Sequence, residues 1–256
     1  RAGIVTENGN LSAVNIEVTR HPDDGLRIRG SVKLTNATIT DNVKAGIRGT
    51  GDLDFNGGEV CRNVEGNLVV SGATNLQNVT VCQDNDSDGP DDATEDAGPN
   101  SGDGNRDGTP DSRQGNVASL RGASGQNYVT VAAPTGTALQ NVRASGNPSS
   151  SETPEGVSFP VDFLDFTVPV SPGGAVILEL FLPEGTQTNA YYKYGPEPGN
   201  TTPHFYDFAF DGTTGAEIQG SKILLHFVDG QRGDQDLTAN GVIVHPGAPA
   251  VVAGSG

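Results

Sequence analysis

The sequence contains no methionine and no tryptophan, and only 5% of its residues are aromatic. Because translation starts with methionine, we expect a processed N-terminus, and removal of a secretory signal peptide is the simplest explanation. No apolar run approaches the ~20 residues that a membrane-spanning helix needs, so we expect no membrane span in this chain. Helical periodicity is lacking too, whereas short runs rich in Val, Ile, Thr and Phe favour strands.

Basic residues are scarce. Lys and Arg number 15 against 32 Asp and Glu, which gives a net charge of −17. Residues 84–111 alone contain ten acids and one base, an excess of nine negative charges. Such a surface repels phosphate groups, so we expect divalent cations as partners and no nucleic acid.

Apolar residues recur every 21 positions in the first third of the chain, as Leu34, Phe55 and Leu76 show. The same offset relates three further columns, which are Ile39, Val60 and Val81; Leu26, Ile47 and Leu68; and Gly30, Gly51 and Gly72. Extended backwards, the pattern aligns Val5, Leu11 and Val18 with Leu26, Val32 and Ile39.

This period predicts a short β-solenoid of four coils, in which equivalent apolar residues stack inside. The coils are residues 1–21, 22–42, 43–63 and 64–84. An ordinary sandwich with evenly spaced strands is the alternative. The open ends of a solenoid expose unpaired strand edges, so we expect self-association into a polymer that covers them.

The two cysteines, Cys61 and Cys82, are also 21 residues apart. Stacked strands lie ~4.8 Å apart, and a disulfide needs Cα atoms ~5.5 Å apart. The repeat therefore predicts a Cys61–Cys82 disulfide between coils three and four, with two free thiols as the alternative. A disulfide fits an oxidising compartment.

The acidic segment "DNDSDGPDDATE" has the ligand spacing of a calcium-binding loop, in which oxygen ligands occupy positions 1, 3, 5, 7, 9 and 12 and glycine occupies position 6. Gly89 stands at position 6 when Asp84 is position 1. The predicted ligands are Asp84, Asp86, Asp88, the carbonyl of Pro90, Asp92 and Glu95. The flanking residues are not helical in pattern, so this is a calcium loop without an EF-hand domain.

A second copy of the loop follows. Its predicted ligands are Asp103, Asn105, Asp107, the carbonyl of Thr109 and Asp111, with Asp96 as a neighbour that the second ion borrows. Residues 84–113 resemble thrombospondin type 3 calcium repeats, which wrap a structureless chain around a row of ions. We expect Ca²⁺ to stiffen this segment, and a solvated, disordered acidic linker is the alternative.

From Asn116 onwards, about eight short strands separated by Pro-Gly and Asp-Gly turns predict an antiparallel β-sandwich. The region resembles the bacterial choice-of-anchor U domain. The residues that carry this resemblance are "QGNVASL" (114–120), "GVSFPVDFLDFTV" (156–168), "YYKYGPEPGNTTPHFYDFAFDGTTGAEI" (191–218) and "LHFVDGQRGDQDLTANGVIVHPGAPA" (225–250). The resemblance implies a secreted surface protein without catalytic activity.

Two weaker patterns leave alternatives open. Asp229, Asp234, Asp236 and Asn240 form either a further calcium site or a turn that uses Asp and Gly for backbone reasons. The aromatic residues of 191–206 form either a sugar platform or sandwich core with cross-strand pairs. The histidines have no metal-ligand spacing, and no nucleophile motif is present.

The sequence thus predicts an all-β protein with a solenoid at residues 1–84, a calcium-binding connector at 85–115 and a sandwich at 116–250. We expect a secreted, extracellular or cell-surface structural or adhesive protein, a subunit of a fibre, sheath or matrix, and not an enzyme. The alternative is a surface protein that binds or degrades carbohydrate, with cell-surface or matrix glycans as partners.

Overall fold

The computed structural model describes residues 3–7, 9–63, 66–123, 125 and 127–253. The chain divides into two compact units, Arg1–Gln83 and Asp84–Gly256, and strands dominate both. Within the described ranges, no helix is long and apolar enough to cross a membrane.

The first unit is a β-solenoid of about four coils. Its strands are β1 Ile4–Thr6, β2 Leu11–Val14, β3 Glu17–Thr19, β4 Leu26–Ile28, β5 Val32–Thr40, β6 Ile47–Gly49, β7 Leu53–Cys61, β8 Leu68–Val70 and β9 Thr74–Val81. They form two parallel sheets, in the orders β1-β4-β6-β8 and β2-β5-β7-β9, with β3 also paired to β5. The apolar side chains between the sheets form the core of this unit.

The predicted 21-residue register is confirmed for coils two to four. Leu34 pairs with Phe55, and Phe55 pairs with Leu76. The glycine column has a steric reason, because a Cβ atom on Gly51 would overlap the carbonyl oxygen of Gly30. This close approach of backbones excludes any larger residue.

The register predicted for the first strand is wrong by one residue. Ile4, and not Val5, pairs with Leu26, and Val5 is 44% exposed. The first coil has one more residue between β1 and β2 than later coils have at the same place. Because strand side chains alternate between faces, this residue turns Ile4 inward and Val5 outward.

The predicted disulfide is confirmed. Cys61 and Cys82 are bonded, with their Cα atoms 4.9 Å apart, so the bridge joins equivalent positions of coils three and four.

At one corner of each coil the backbone is left-handed, at Asn15, Asn36, Gly57 and Asn78, which are residue types that tolerate this conformation. The side chain of Asn36 donates a hydrogen bond to that of Asn15 across 3.3 Å.

The second unit begins with short helical turns and continues as two antiparallel sheets. The helices are α1 Asp92–Asp96 and α2 Pro99–Gly102, and 3₁₀ turns lie at Asp111–Arg113 and Ser150–Glu152. The strands are β10 Val117–Arg121, β11 Tyr128–Ala132, β12 Gln140–Ser145, β13 Val157–Ser158, β14 Phe163–Pro169, β15 Ala175–Phe181, β16 Ala190–Glu197, β17 Asn200–Asp207, β18 Gly215–Gln219, β19 Lys222–Val228 and β20 Val242–Val252.

These strands form the predicted sandwich-like arrangement. One sheet has the order β10-β11-β15-β19-β18, and the other has the order β12-β14-β20-β16-β17, with β13 paired to β20. Side chains of both sheets share one core, where the rings of Phe166 and Phe227 meet edge to face at 6.3 Å. Lys193 and His245 are buried in this core beside Tyr191.

Candidate metal centre

The two acidic loops have the same backbone conformation. In the first loop Ser87 and Gly89 have positive φ angles of 64° and 138°, and in the second loop Arg106 and Gly108 have 63° and 93°. These residues are positions 4 and 6 of each twelve-residue motif. The glycine at position 6 therefore allows the sharp turn in both loops.

The same hydrogen bond closes both loops. The carboxylate at position 9 accepts the backbone N–H of position 2, from Asn85 to Asp92 at 2.8 Å and from Gly104 to Asp111 at 2.9 Å. The carboxylate at position 1 also accepts backbone N–H groups, from Ser87 to Asp84 at 2.7 Å and from Gly108 to Asp103 at 3.0 Å. Each motif thus folds into a turn that is closed by its own carboxylates.

Three carboxylates of the first loop converge. Oxygen atoms of Asp84, Asp86 and Asp88 all lie within 4.8 Å of one another. Asp88 has no exposed surface, and neither of its carboxylate oxygens has a hydrogen-bond partner. One oxygen each of Asp86, Glu95 and Asp111 is also buried without a partner.

Burial makes the ionised forms of these acids costly. Burial, together with the neighbouring carboxylates Glu95, Asp86, Asp84 and Asp111, raises the pKa of Asp88 to about 11. The pKa of Glu95 rises to about 9 and that of Asp86 to about 6, with burial as the largest cause in both cases. Among the described residues, no Lys or Arg pairs with this cluster, so a bound cation is the natural counter-charge.

The acidic segment packs against the sheet of the second unit. Glu95 accepts the backbone N–H of Ser119 at 3.1 Å, and Asp111 accepts the Ser119 hydroxyl at 2.6 Å. Val142 donates its N–H to the carbonyl of Asp88 at 2.8 Å. Strands β10 and β12 therefore help to hold the three most deeply buried acids, which gives the segment more than the role of a connector.

Ser119 and Asp91 support the candidate site, and the loop pattern did not indicate either of them. Ser119 links the acids at position 12 of the first loop and position 9 of the second loop. Asp91 caps helix α1, because its carboxylate accepts the N–H of Thr94 at 3.0 Å. The cap orients α1, which carries Glu95.

The other predicted ligands are not among the three converging carboxylates. Asp92 accepts hydrogen bonds from Asn85, and the exposed Asp96 accepts one from Ser112 at 2.7 Å. Pro90 is buried at the turn of the first loop. In the second loop Asn105, Asp107 and Thr109 bond to one another or to Gln114 near the surface.

The acids of residues 229–240 serve the backbone. Asp229 accepts the N–H groups of Gly173 and Gly241 at 2.8 and 2.9 Å. Asp234 accepts those of Gly230 and Val244, both at 2.9 Å. These bonds give Asp229 and Asp234 a role in holding the backbone, and one oxygen of Asp229 is also buried without a partner.

The aromatic residues of 191–206 are divided between two faces of one sheet. Tyr191 and Tyr206 are buried in the core between the sheets. Tyr194 pairs with Phe205 on the opposite face, with ring centres 4.9 Å apart. The ring of Phe159 lies 6.0 Å from that of Phe205, so the outer group packs as a small aromatic cluster.

The fold and this centre define an all-β protein with a solenoid and a sandwich-like unit that carries a candidate cation site. Comparison of the chain with known protein families, curated proteins and solved structures gives no match.

Proposed function

We propose that the chain is a secreted, calcium-binding structural or adhesive protein of the cell exterior, a subunit of a fibre, sheath or matrix without enzymatic activity. One observation carries the calcium part of this proposal. Asp88, Glu95 and Asp111 have no exposed surface, yet each has at least one carboxylate oxygen without a partner. Buried carboxylates with free oxygens need a positive partner, and these acids share one small region.

The chemistry of the donors favours Ca²⁺ over transition metals. Every candidate ligand is an oxygen, and no His or Cys takes part in the group that Asp84, Asp86 and Asp88 form. Calcium takes six to eight oxygen ligands in flexible arrangements, whereas imidazole and thiolate favour zinc or copper. The spacing of ligands in the first loop also fits a calcium loop.

The ion would have a structural effect on the second unit. It would offset the repulsion among Asp86, Asp88 and Glu95 and so hold helix α1 against strand β10. The bond from Ser119 to Glu95 already places this carboxylate at the edge of the sheet. The resemblance of residues 114–250 to the choice-of-anchor U domain implies a secreted surface protein without catalytic activity, which is consistent with such a role.

Calorimetric titration of the full chain with Ca²⁺ tests the proposal, with Glu95→Gln as the variant and Glu184→Gln as its control. Glu184 lies exposed at a turn. We expect the wild type and the control to bind Ca²⁺. Glu95→Gln should lose at least roughly tenfold in affinity, which is about 1.4 kcal/mol, because the twelfth ligand closes the site. No binding heat and no thermal stabilisation of the wild type by Ca²⁺ would refute calcium binding.

A groove on the solenoid supports glycan binding as a second candidate function. It has a volume of about 450 Å³, and its polar lining includes Asn10, Ser12, Ser31, Lys33, Asp54 and Asn75. The amine of Lys33 lies 3.6 Å from Asp54, so charged and neutral hydrogen-bonding groups stand side by side. A glycan array with Lys33→Ala as the comparison tests this function, and a reducing-sugar assay would detect any turnover.

A further inference from the structure

The last coil of the solenoid has an edge without the usual protection. Strands β8 and β9 end their sheets, because the described residues place no strand beyond either of them. Between Gly66 and Gln83 the sequence contains no charged residue and no proline. Natural proteins normally guard an exposed edge strand with charges, proline or a bulge, so an unguarded edge indicates a surface that pairs.

Apolar surface accompanies this edge. Leu76 is 39% exposed, although Leu34 and Phe55 in the same column are fully buried. Leu68, Val70, Val79 and Val81 are likewise only partly buried at their positions in coil four. A further coil stacked on this face would bury them as coil four buries Phe55.

The backbone hydrogen bonds show what would complete the edge. Leu11, Val32 and Leu53 donate their N–H groups to the carbonyls of Ser31, Asp52 and Ala73, at 3.0, 2.8 and 2.8 Å. The N–H of Thr74 in coil four is the next donor in this row. The carbonyl of Asn10 in coil one is the acceptor that precedes the other three. One end of the sheet therefore offers a donor where the other end offers the matching acceptor.

The other sheet repeats this relation. Ile4, Leu26 and Ile47 donate to the carbonyls of Gly25, Gly46 and Asn67, at 3.0, 2.8 and 2.9 Å. Leu68 is the next donor, and Gly3 is the preceding acceptor. In both sheets the edge of coil four is therefore complementary in hydrogen bonding to the edge of coil one. Two copies of the same edge placed together would not repeat this parallel pattern.

We infer that the edge of coil four binds coil one of a second copy of this chain, in parallel and in register, so that the solenoid continues from copy to copy. The corner asparagines fit this arrangement. Asn36 bonds to Asn15 within the chain, and Asn78 occupies the same left-handed corner of coil four, where Asn15 of the next copy would meet it.

A head-to-tail contact of this kind does not close, and it generates an open filament. Four coils at ~4.8 Å each give an axial repeat of about 19 Å per copy. The inference rests on the structural role proposed above, and it supplies the contact that would make the chain polymerise.

Thr74→Pro tests the contact in the full chain, with Thr74→Ala as the matched control. Thr74 is the first residue of an edge strand, where proline is tolerated, and its N–H points away from β7. We expect the wild type and Thr74→Ala to form filaments in electron micrographs and to sediment as polymers. Thr74→Pro should keep the circular dichroism of the wild type but remain monomeric.

A cross-link provides a second readout that does not depend on proline. Val14 and Gln77 belong to one column, through Thr35 and Asn56, and both are exposed. Oxidation of the double variant Val14→Cys/Gln77→Cys should give a ladder of covalent oligomers, and neither single variant should do so. Covalent dimers of Gln77→Cys alone would overturn the inference in favour of a tail-to-tail contact.

The outcomes of these experiments distinguish a failure of the head-to-tail contact from a failure of the proposed function. If Thr74→Pro assembles like the wild type, the contact is wrong while the fibre role stands. If the wild type is monomeric at every concentration in millimolar Ca²⁺, both the contact and the fibre role are refuted. Calcium binding is then judged by calorimetry alone.

Discussion

Three polar side chains lie together in the core of the sandwich-like unit. The amine of Lys193 is 2.6 Å from Nδ1 of His245, and the hydroxyl of Tyr191 is 2.8 Å from Nε2 of the same ring. Burial lowers the pKa of Lys193 and of His245 well below their usual values and raises that of Tyr191. Burial thus favours the neutral form of each of these three groups.

Replacing Lys193 by Met removes the amine and keeps much of the side-chain length. Lys is protonated in the unfolded chain below about pH 10.4, whereas burial lowers the pKa of Lys193 in the fold, so the unfolded state binds more protons between these two pKa values. The stability of the wild type should therefore fall with decreasing pH in this range, by at most about 1.4 kcal/mol per unit. We expect a shallower slope for Lys193→Met in urea unfolding between about pH 10 and 8.

Lys222→Met is the control for this measurement. Lys222 is partly exposed on β19 and pairs with Glu179 at 2.8 Å. Its removal should leave the slope of the wild type nearly unchanged. A wild-type slope in Lys193→Met would show that this lysine is charged in the folded protein.

At the scale of elements, the solenoid was the most predictable part of the chain. In a stack of coils a fixed sequence offset is also a contact in space, so the spacing of Leu34, Phe55 and Leu76 reports a tertiary structure directly. The extra residue of the first coil could not be predicted in the same way. It shifts Ile4 and Val5 without disturbing the columns of later coils.

The acidic segment was less predictable, because its environment is set by distant residues. The ligand spacing identified Asp88 and Glu95 as members of one loop. It could not reveal that Glu95 bonds to Ser119, which lies 24 positions later on β10. Nor could it distinguish Asp92, whose carboxylate is held by Asn85, from Asp88, which is buried without a partner.

The disulfide should stabilise the last coil above all. It closes a loop of about 20 residues, for which the chain-entropy relation gives about 3 kcal/mol. In a Cys61→Ala/Cys82→Ala variant we expect faster amide hydrogen exchange in β9 of the monomer, because among the described strands of one copy β9 pairs with β7 alone. Exchange in β14 of the other unit is the internal control. Unchanged protection of β9 would show that stacking alone holds coil four.

At the scale of the whole molecule, negative charge is unevenly distributed. The net charge is −17, and residues 84–111 account for nine of the excess acids. Each of the two units has its own apolar core. We therefore expect the solenoid and the sandwich-like unit to unfold in separate transitions. Repulsion within the acidic cluster should lower the stability of the second unit only.

Removal of calcium should affect only one of these transitions. A ligand at 100 times its dissociation constant stabilises the folded state by about 2.7 kcal/mol. For a unit of this size each kcal/mol shifts the melting temperature by about 2–4 °C. In scanning calorimetry with excess EDTA, the transition of the sandwich-like unit should therefore fall by about 5–10 °C while that of the solenoid stays in place. The Glu95→Gln variant identifies the sensitive transition, because a tenfold loss of affinity should reduce its shift in EDTA to about half of that of the wild type. Equal shifts of both transitions would contradict a cation site confined to the second unit. The absence of a shift in either transition would mean that the buried carboxylates are protonated rather than bound to an ion.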